Sequence, residues 1–258
     1  MGTEQREHAA LVTYEEFARI YDDFNHLNNY EMWLGQKLLP ELEKRGLRTG
    51  RVLDVGCGTG RAFEPLLGRG WVIHGCDLSP AMLERARQQF GDRVELDVAD
   101  MRELPVFGQF DLALVLNDAV NYLLGDGELE QALGSISANL APGGLLLFDA
   151  NSRMMFRLAY EADEDAVVKD GRAWTWTGVG RADESVPVYT ARIEGDGIEP
   201  IVNEERYFEV GEVEAAIEGA GLECLAVLGQ REEGSEVVLR EPPDDEADHK
   251  IVYIARQR

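Results

Sequence analysis

The sequence predicts an α/β protein with a doubly wound sheet of seven mostly parallel strands, helices on both faces and a small antiparallel β insertion. Three observations predict this fold. Short apolar runs alternate with helix-like segments through the first 150 residues, as in βαβ units. A glycine-rich turn follows the first apolar run. Over residues 153–209 the apolar residues then recur at every second position, which indicates hairpins.

Composition limits both the size of the fold and the class of partner. The 258 residues are enough for one large domain or one domain that carries an insertion. The 49 acidic and 25 basic side chains give a net charge of −24. Such a surface repels phosphate backbones and anionic lipids, so we expect neither nucleic acid nor a membrane as partner. We interpret the acidity as a means of solubility.

Cysteine usage and hydropathy indicate a cytoplasmic protein. The three cysteines, Cys57, Cys76 and Cys224, are widely spaced, and no C-x-x-C motif or cysteine–histidine cluster occurs, so we expect no metal and no disulfide framework. No apolar run reaches the roughly 18 residues of a membrane helix. The first residues are polar, unlike a signal peptide. We expect a monomer or a homodimer.

The chain begins with helical patterns. Tyr14, Phe17 and Tyr21 recur at helical spacing, and a second apolar pattern, which includes Trp33, extends over residues 29–45. We predict that residues 1–48 form a helical lid over the sheet.

The first strand and its turn lie within residues 51–60, R-V-L-D-V-G-C-G-T-G. Gly56, Gly58 and Gly60 allow a sharp bend and let a ligand approach the backbone closely. A helix-like stretch over 61–67 follows, whose free amides favour an anionic group. The spacing is G-x-G-x-G rather than the dinucleotide pattern G-x-G-x-x-G, so the turn is Rossmann-like without being a dinucleotide fingerprint.

The next two strands also end in acids. The second, over 71–77, ends in Asp77, where a doubly wound sheet hydrogen-bonds ribose hydroxyls. The third, over 93–98, is followed by Asp100 and Met101. The Asp100 carboxylate could accept from an adenine amino group and the Met101 amide could donate to a ring nitrogen, although Asp100 is equally well explained as a surface residue.

The fourth and fifth strands, over 111–116 and 145–148, are apolar and flank a helix over 128–140. Ligands of open α/β sheets bind where such strands end. The polar residues at these ends are Asn117, Asp118, Asn121, Tyr122, Asp149 and Asn151.

The remaining chain divides into an insertion and a return to the sheet. We assign residues 153–209 to the antiparallel insertion, and residues 49–152 with 210–258 to the Rossmann-like domain. We read the acidic stretch 231–248 as an exposed connection. Within these bounds the pattern predicts strands over 172–181, 186–194, 201–210, 222–228 and 250–256, and a helix over 211–219.

Several motifs together resemble those of class I S-adenosylmethionine-dependent methyltransferases. A narrower resemblance, to small-molecule bacterial methyltransferases of the sugar and glycine N-methyltransferase types, rests on Y-x-x-F-A-x-x-Y-D at 14–22, N-Y-L at 121–123 and the insertion after the fifth strand. The class I motifs are D-V-G-C-G-T-G at 54–60, C-D-L-S-P-A-M-L at 76–83, D-M-R-E-L-P at 100–105 and L-A-P-G-G at 140–144.

The resemblance implies S-adenosylmethionine as cofactor and S-adenosylhomocysteine as product. Asp54 and Gly56 would hold the methionine end, Asp77 the ribose, and Leu78 and Met82 the adenine. The full set of residues implied to bind the donor is Tyr14, Tyr21, Trp33, Asp54, Gly56, Cys57, Gly58, Asp77, Leu78, Met82, Asp100, Met101 and Asn117.

The resemblance also implies a transferase that methylates nitrogen or oxygen of a small-molecule acceptor by in-line displacement, mainly through proximity. Related sugar enzymes have a histidine near position 121 or 122, where this chain has Asn121 and Tyr122. Tyr14, Asn121 and Tyr122 are the candidate positioning residues of catalysis. The candidate acceptor-binding residues are Tyr122, Asn151, Trp174, Trp176 and Arg206.

Two other functions stay open at this point. A non-catalytic S-adenosylmethionine-binding protein would carry the same donor motifs. A nicotinamide-dependent oxidoreductase would also use Asp77 for a ribose, although the glycine spacing and the Asp100–Met101 pair disfavour it. Nucleic-acid methylation is disfavoured by the net charge of −24 and by N-D-A-V at 117–120 in place of an N-P-P motif.

Overall fold

The computed structural model describes residues 15–161, 165–181, 186–234 and 236–258. The strands in these ranges form two separate sheets. They are β1 Arg51–Val55, β2 Val72–Asp77, β3 Glu95–Val98, β4 Phe110–Val115, β5 Leu140–Asn151, β6 Asp165–Lys169, β7 Arg172–Arg181, β8 Val188–Gly195, β9 Ile201–Arg206, β10 Leu222–Glu233, β11 Glu236–Arg240 and β12 Lys250–Gln257.

The larger sheet has the order β11-β10-β12-β5-β4-β1-β2-β3 in the described part of the chain. From β3 to β5 the neighbouring strands pair in parallel, whereas β12, β10 and β11 add antiparallel strands beyond β5. The smaller sheet has the order β6-β7-β8-β9 and is antiparallel. The predicted α/β fold with an antiparallel insertion is therefore confirmed.

Helices join the strands and follow the predicted alternation. Ser79 caps one helix by accepting a hydrogen bond from the Met82 amide at 3.3 Å, and Pro80 occupies its first position. No helix in the described ranges is long and apolar enough to cross a bilayer. The helices are α1 Tyr21–Phe24, α2 Glu31–Leu38 (a π-helix), α3 Leu39–Glu43, α4 Phe63–Leu67, α5 Pro80–Phe90, α6 Glu128–Ser137, α7 Arg153–Phe156, which continues as a π-helical segment over Arg157–Glu161, and α8 Val210–Gly219.

The central strand β1 is buried on both faces. Val52 packs into one apolar cluster with Leu34 and Leu66, and Leu53 packs into a second cluster with Leu133 on the opposite face. A strand that is covered on both faces needs apolar residues at consecutive positions, which explains the uninterrupted run in the sequence.

The larger sheet has one strand more than the seven predicted. The segment 231–248 is not entirely an exposed connection, because β10 continues to Glu233 and β11 pairs back against it. Val237 and Leu239 of β11 pack against the apolar cluster on the sheet, between charged neighbours. Because the segment is rich in charged residues, its alternation of inward and outward positions was not recognised in the sequence.

The inserted sheet also has a strand that the sequence analysis did not identify. Strand β6 pairs with β7 across Asp170 and Gly171, whose φ angles are 52° and 80°. A tight two-residue hairpin turn requires positive φ at both central residues, and Asp-Gly is one of the residue pairs that adopt it. Trp174 of this sheet packs against Phe17 of the N-terminal segment, which is residues 15–48 of the described chain.

Two consecutive aspartates connect the N-terminal segment to both sheets. Asp22 accepts from the Thr59 hydroxyl at 2.6 Å and from Arg85 at 3.3 Å, both in the larger sheet's domain. Asp23 accepts from Lys169 at 2.7 Å and from Arg172 at 3.2 Å, both in the inserted sheet. The N-terminal segment is thereby positioned between the two sheets.

Replacement of Gly178 by alanine should destabilise the protein. A Cβ at this position would overlap the backbone carbonyl of Tyr160, which cannot rotate away as a side chain does. We expect the free energy of unfolding, measured in urea, to fall by about 1–3 kcal/mol.

The matched control is Gly134→Ala, in helix α6, where a Cβ would meet no atom within 4 Å. This variant should be more stable than the wild type by about 0.5–1 kcal/mol. Equal stability of the Gly178→Ala variant and the wild type would contradict the described packing of the inserted sheet on the Arg157–Glu161 segment.

Candidate functional site

A cavity lies at the carboxyl ends of the parallel strands, between the larger sheet, the N-terminal segment and the inserted sheet. Gly56 and Asp77 line it from the ends of β1 and β2, and Tyr21 lines it from helix α1. Trp176 and Glu205 line it from the inserted sheet. The cavity therefore occupies the position at which open α/β sheets bind ligands.

The glycine turn after β1 presents bare backbone to this cavity. Gly56 and Gly58 both line it and have φ angles of 69° and 56°, in the region that favours glycine. A Cβ on Gly56 would lie 3.2 Å from the Cβ of Ala119. The turn can therefore approach a ligand closely, as the sequence analysis predicts.

Asp77 fixes the geometry of that turn. Its carboxylate accepts from the Gly58 amide at 2.8 Å and from the Ser79 amide at 2.9 Å. Burial raises the pKa of Asp77, although these amide hydrogen bonds oppose the shift. A carboxylate offers about four acceptor positions, so Asp77 retains acceptor capacity for a ligand in the cavity.

Asp54, at the end of β1, is an unusual buried group. Its side chain is 2% exposed, and within the described ranges its Oδ2 atom has no hydrogen-bond partner. Burial, followed by the charge of Asp77, raises the pKa of Asp54 to about 8. A buried acceptor without a donor is unfavourable. Asp54 does not itself line the cavity, but it lies two residues before Gly56, which does, so a ligand ammonium that reached past the turn could supply the donor.

Asp100 lines the cavity with Met101, but it has a protein partner that the sequence analysis did not identify. It accepts from the Arg102 amide at 2.8 Å and from the guanidinium Nε at 3.0 Å. Burial raises the pKa of Asp100, but the hydrogen bonds from Arg102 outweigh it, so the pKa is lower than usual. Arg102 also bonds Glu128 at 3.0 Å. These bonds keep the Asp100 carboxylate ionised and fixed in place.

The loop after β4 is held in an uncommon conformation. Asn117 and Asp118 have φ angles of 61° and 58°, which few residues other than glycine adopt. Asp149 accepts from both of their amides at 2.8 Å, and Lys250 donates to Asp149 at 2.8 Å and to Asp118. The three charged side chains thus fix the floor of the cavity.

The same contacts affect the pKa values of Asp118 and Lys250. Burial raises the pKa of Asp118 to about 7, although Lys250 opposes the shift. Burial lowers the pKa of Lys250, but the charges of Asp118 and Asp149 outweigh that effect, so its pKa lies above the usual value. Lys250, whose side chain is 14% exposed, is therefore protonated at neutral pH.

Glu205 reaches the cavity from strand β9. It accepts from Asn151 at 2.9 Å and from Asn203 at 3.1 Å, and Asn203 in turn accepts from the Tyr122 hydroxyl at 3.1 Å. Burial raises the pKa of Glu205. Glu205 was not predicted from the sequence, because Glu205 lies in the polar run V-N-E-E-R. In that run only the alternation of the strand identifies the inward-facing residues.

The structure brings most of the candidate residues together. Those that the sequence analysis named and that line the cavity are Tyr21, Gly56, Gly58, Asp77, Leu78, Met82, Asp100, Met101, Asn117, Tyr122 and Trp176. The candidates outside its lining are Trp33, Asp54, Cys57, Asn121, Asn151, Trp174 and Arg206. Tyr14 lies outside the described residues.

Two of the candidate tryptophans are core residues. Trp33 packs with Leu34 in the apolar cluster of the larger sheet, and its indole donates to Gln230. Trp174 is 1% exposed and donates to the Asp196 carbonyl at 2.9 Å. A large aromatic side chain satisfies the same sequence pattern in a core as in a cavity, so periodicity could not separate the two placements.

Arg206 and Asn121 support the site from behind it. Arg206 forms ion pairs with Asp126 at 2.8 Å and Glu212 at 3.0 Å. The Asn121 side chain donates to the Arg206 carbonyl at 2.7 Å and accepts from the Asn151 amide at 2.9 Å. Asn121 thereby ties the loop after β4 to the ends of β5 and β9.

The cavity is suited to a cation. Asp77, Asp118 and Glu205 contribute carboxyl groups, while Tyr21 and Trp176 contribute aromatic faces that also attract positive charge. Within the described ranges no group of three or more histidine, cysteine, aspartate or glutamate side chains is arranged to hold a metal ion.

Comparison with known proteins agrees with these features. Residues 52–144 match the family model described as a methyltransferase domain. Residues 52–144 therefore carry the pattern of a methyltransferase domain. A Geobacillus sp. (strain WCH70) protein with a methyltransferase name is 37% identical to this chain over 146 residues, which are 55% of this chain and 58% of that relative.

Two longer similarities extend over nearly the whole chain. YqeM of Bacillus subtilis (strain 168), also named as a methyltransferase, is 28% identical over 226 residues, 84% of this chain and 89% of YqeM. The structure of CalS10, an amino pentose methyltransferase from Micromonospora echinaspora solved with S-adenosylmethionine bound, has a TM-score of 0.69 and 23% identity. The alignment covers 94% of this chain and 96% of CalS10.

These comparisons confirm the predicted fold. The residues present in this chain fit the predicted cofactor, S-adenosylmethionine. The glycine turn at Gly56 and Gly58 leaves room for a ligand, and the Oδ2 atom of Asp54, just before the turn, has no partner in the described ranges and could accept from an ammonium group. Asp77 retains acceptor capacity at the end of β2.

Replacement of Lys250 by methionine should destabilise the protein strongly. The Asp149 side chain, which is fully buried, and the Asp118 side chain, which is 16% exposed, would lose their cation, at an expected cost of about 3–5 kcal/mol in the free energy of unfolding at pH 8. The folded-state pKa of Asp118, about 7 in the wild type, lies above its ordinary value. The penalty should therefore shrink as the pH falls from 8 to 5, because Asp118 then binds a proton in the folded state.

Urea unfolding at both pH values measures this effect. Lys44→Met is the matched control, because Lys44 is 66% exposed and pairs with Glu41 on the surface. Its loss should change the free energy of unfolding by at most about 1 kcal/mol at either pH. A Lys250→Met variant as stable as this control at pH 8 would contradict the role assigned to Lys250.

Proposed function

We propose that the protein transfers a methyl group from S-adenosylmethionine to an amine nitrogen of a small-molecule acceptor. The observation that carries the proposal is the cavity in which the glycine turn and Asp77 face Trp176 and Glu205 of the inserted sheet. One wall carries the donor motifs, and the other carries a carboxylate and an aromatic ring that suit a cationic acceptor. The resemblance of the sequence to sugar and glycine N-methyltransferases supports the same choice.

The donor-side roles are part of the proposal. Asp77 would accept from the ribose hydroxyls, and Leu78 and Met82 would flank the adenine. Asp100, held by Arg102, would accept from the adenine amino group while the Met101 amide donates to the ring. Three further residues, Asp54, Gly56 and Asn117, would contact the methionine end.

Bound S-adenosylmethionine supplies a methyl group on a positively charged sulfur, which is already activated for displacement. The task of the chain is therefore to hold the acceptor nitrogen in line with that methyl group and to exclude water. Correct placement of this kind lowers a barrier by about 7–11 kcal/mol. Tyr122, fixed by its hydrogen bond to Asn203 at 3.1 Å, and Trp176, fixed by its bond to the Ala159 carbonyl at 2.6 Å, would form the acceptor side.

The N-terminal segment would cover the bound donor. Phe17 and Tyr21 line the cavity, and their rings are in edge contact with centroids 5.4 Å apart. The ion pairs of Asp22 and Asp23 hold this segment against both sheets. We propose that residues 1–48 act as the lid and residues 153–209 as the acceptor-side insertion of the Rossmann-like domain.

The acceptor should be small and should not be a nucleic acid. The net charge of −24 repels phosphate backbones, and the cavity lies beneath the N-terminal segment instead of along an open groove. We expect such an enzyme to act in the cytoplasm.

Replacement of Asp77 by alanine should weaken the binding of S-adenosylhomocysteine by about 1.5–3 kcal/mol, which is about 10–150-fold in Kd. The reason is the loss of a charge-assisted hydrogen bond to the ribose. Isothermal titration calorimetry measures this change. Asp77→Asn, which preserves the size of the side chain, should show the same direction with a smaller loss.

Asp92→Ala is the matched control, because Asp92 is an exposed acid just after helix α5. Its Kd for S-adenosylhomocysteine should equal that of the wild type. Unchanged affinity in both Asp77 variants would refute the placement of the ribose. Binding of NAD as tight as that of S-adenosylhomocysteine would favour the oxidoreductase alternative, and donor binding without turnover of any acceptor would favour the non-catalytic alternative.

A further inference from the structure

Glu205 is a buried carboxylate in the wall of the cavity. It lies on β9 opposite Tyr189 of β8, and it is 2% exposed. Its neighbour Glu204 points to the other face of the sheet and is more exposed. The sheet's register therefore directs one of two adjacent glutamates into the cavity.

The hydrogen bonds to Glu205 come from neutral groups. Asn151 donates to its Oε2 at 2.9 Å, and Asn203 donates to its Oε1 at 3.1 Å. Within the described ranges no ion pair to Glu205 occurs. With the further bond from Tyr160 the carboxylate accepts three bonds of about four possible, so it retains acceptor capacity, and a buried negative charge of this kind favours a cationic partner.

The charged and titratable groups that face Glu205 come from three other elements. Asp118 approaches from the loop after β4, and Tyr160 from the π-helical segment after α7 hydrogen-bonds it. Lys250 of β12 exerts an attractive charge, but it is already bonded to Asp118 and Asp149. Tyr122 is linked through Asn203. Burial raises the pKa of Glu205, although its hydrogen bonds and the charge of Lys250 oppose the shift.

An aromatic wall adjoins the carboxylate. Trp176 lines the cavity, and its ring contacts Tyr160 edge-on at a centroid distance of 5.4 Å and Phe24 at 6.4 Å. Aromatic faces beside a carboxylate attract ammonium groups, including methylated ones that have lost hydrogen-bond donors.

We infer that Glu205 binds the ammonium group of the acceptor and accepts its proton before methyl transfer. This inference rests on the proposed function and deepens it by naming the residue that selects an amine. Glu205 touches the acceptor directly and is therefore a catalytic residue, whereas Asn151 and Asn203 position it.

Proton transfer from the acceptor precedes methyl transfer. One N–H bond of the R-NH3⁺ acceptor breaks, and its proton binds the Glu205 carboxylate, which gives R-NH2 and a neutral carboxyl group. The nitrogen lone pair then forms the N–CH3 bond while the S–CH3 bond breaks and its electron pair stays on sulfur. The product is R-NH2-CH3⁺ with S-adenosylhomocysteine, and Glu205 returns its proton to solvent after release.

The test compares wild type, Glu205→Gln and the matched control Glu204→Gln. Three acceptor pairs differ only in the nucleophile: glucosamine with glucose, glycine with glycolate, and benzylamine with benzyl alcohol. Methyl transfer from isotopically labelled S-adenosylmethionine is followed by mass spectrometry from pH 6 to 10. We expect the wild type and Glu204→Gln to methylate an amine and no hydroxyl partner.

The pH profile separates a catalytic role from a structural one. At pH 7, Glu205→Gln should lose about 10²–10⁴-fold in kcat/KM. Its remaining activity should rise about tenfold per pH unit toward the pKa of the free amine, because the acceptor must then arrive unprotonated. Loss of activity by an equal factor at every pH would show a structural role and overturn the inference.

Titration with S-adenosylhomocysteine in the same samples distinguishes the two proposals. Failure of the wild type to bind it would refute the proposed function as a whole. Binding accompanied by methylation of hydroxyl partners alone would overturn both proposals, whereas amine methylation with equal kcat/KM in Glu205→Gln and the wild type would overturn the inference about Glu205 alone. If Glu205→Gln does not fold, the wild-type pH profile decides: a kcat/KM for the amine that does not follow the unprotonated fraction of the free amine supports the inference, and a kcat/KM that follows this fraction overturns it.

Discussion

The contact of Lys250 with Asp118 and Asp149 is the constraint on which the site depends. Asp149 binds the amides of Asn117 and Asp118 and so holds both residues at positive φ. Lys250 neutralises the acids that this arrangement buries. Because Lys250 begins β12, which pairs with β5, the last strand of the chain stabilises a loop that was formed more than a hundred positions earlier.

The remainder of the cavity is assembled around that floor from distant parts of the sequence. The glycine turn and Asp77 come from the first two strands, whereas Glu205 and Trp176 come from the inserted sheet. Asn121 joins these parts, since its side chain bonds both the Arg206 carbonyl and the Asn151 amide. The donor side is thus local in sequence, and the acceptor side depends on tertiary contacts.

This difference explains how much the sequence could reveal. Asp77 and the glycine turn were predictable, because a strand followed by glycines and an acid is a local pattern with a local physical reason. Glu205 and Lys250 were not, because their inward position depends on strand register and on partners elsewhere in the chain. Trp174 was predicted to line the acceptor site but packs in an apolar cluster, because an aromatic residue in an alternating strand fits a core as well as a cavity.

The neighbouring Asp22 and Asp23 have a mechanical consequence. Asp22 accepts a hydrogen bond from the domain of the larger sheet, and Asp23 accepts one from the inserted sheet. A single helical turn therefore connects the two sheets. Separation of this segment from the two sheets would break both sets of ion pairs together. Dissolved salt screens these partly exposed charges, so the strength of the connection depends on the ionic strength of the surroundings.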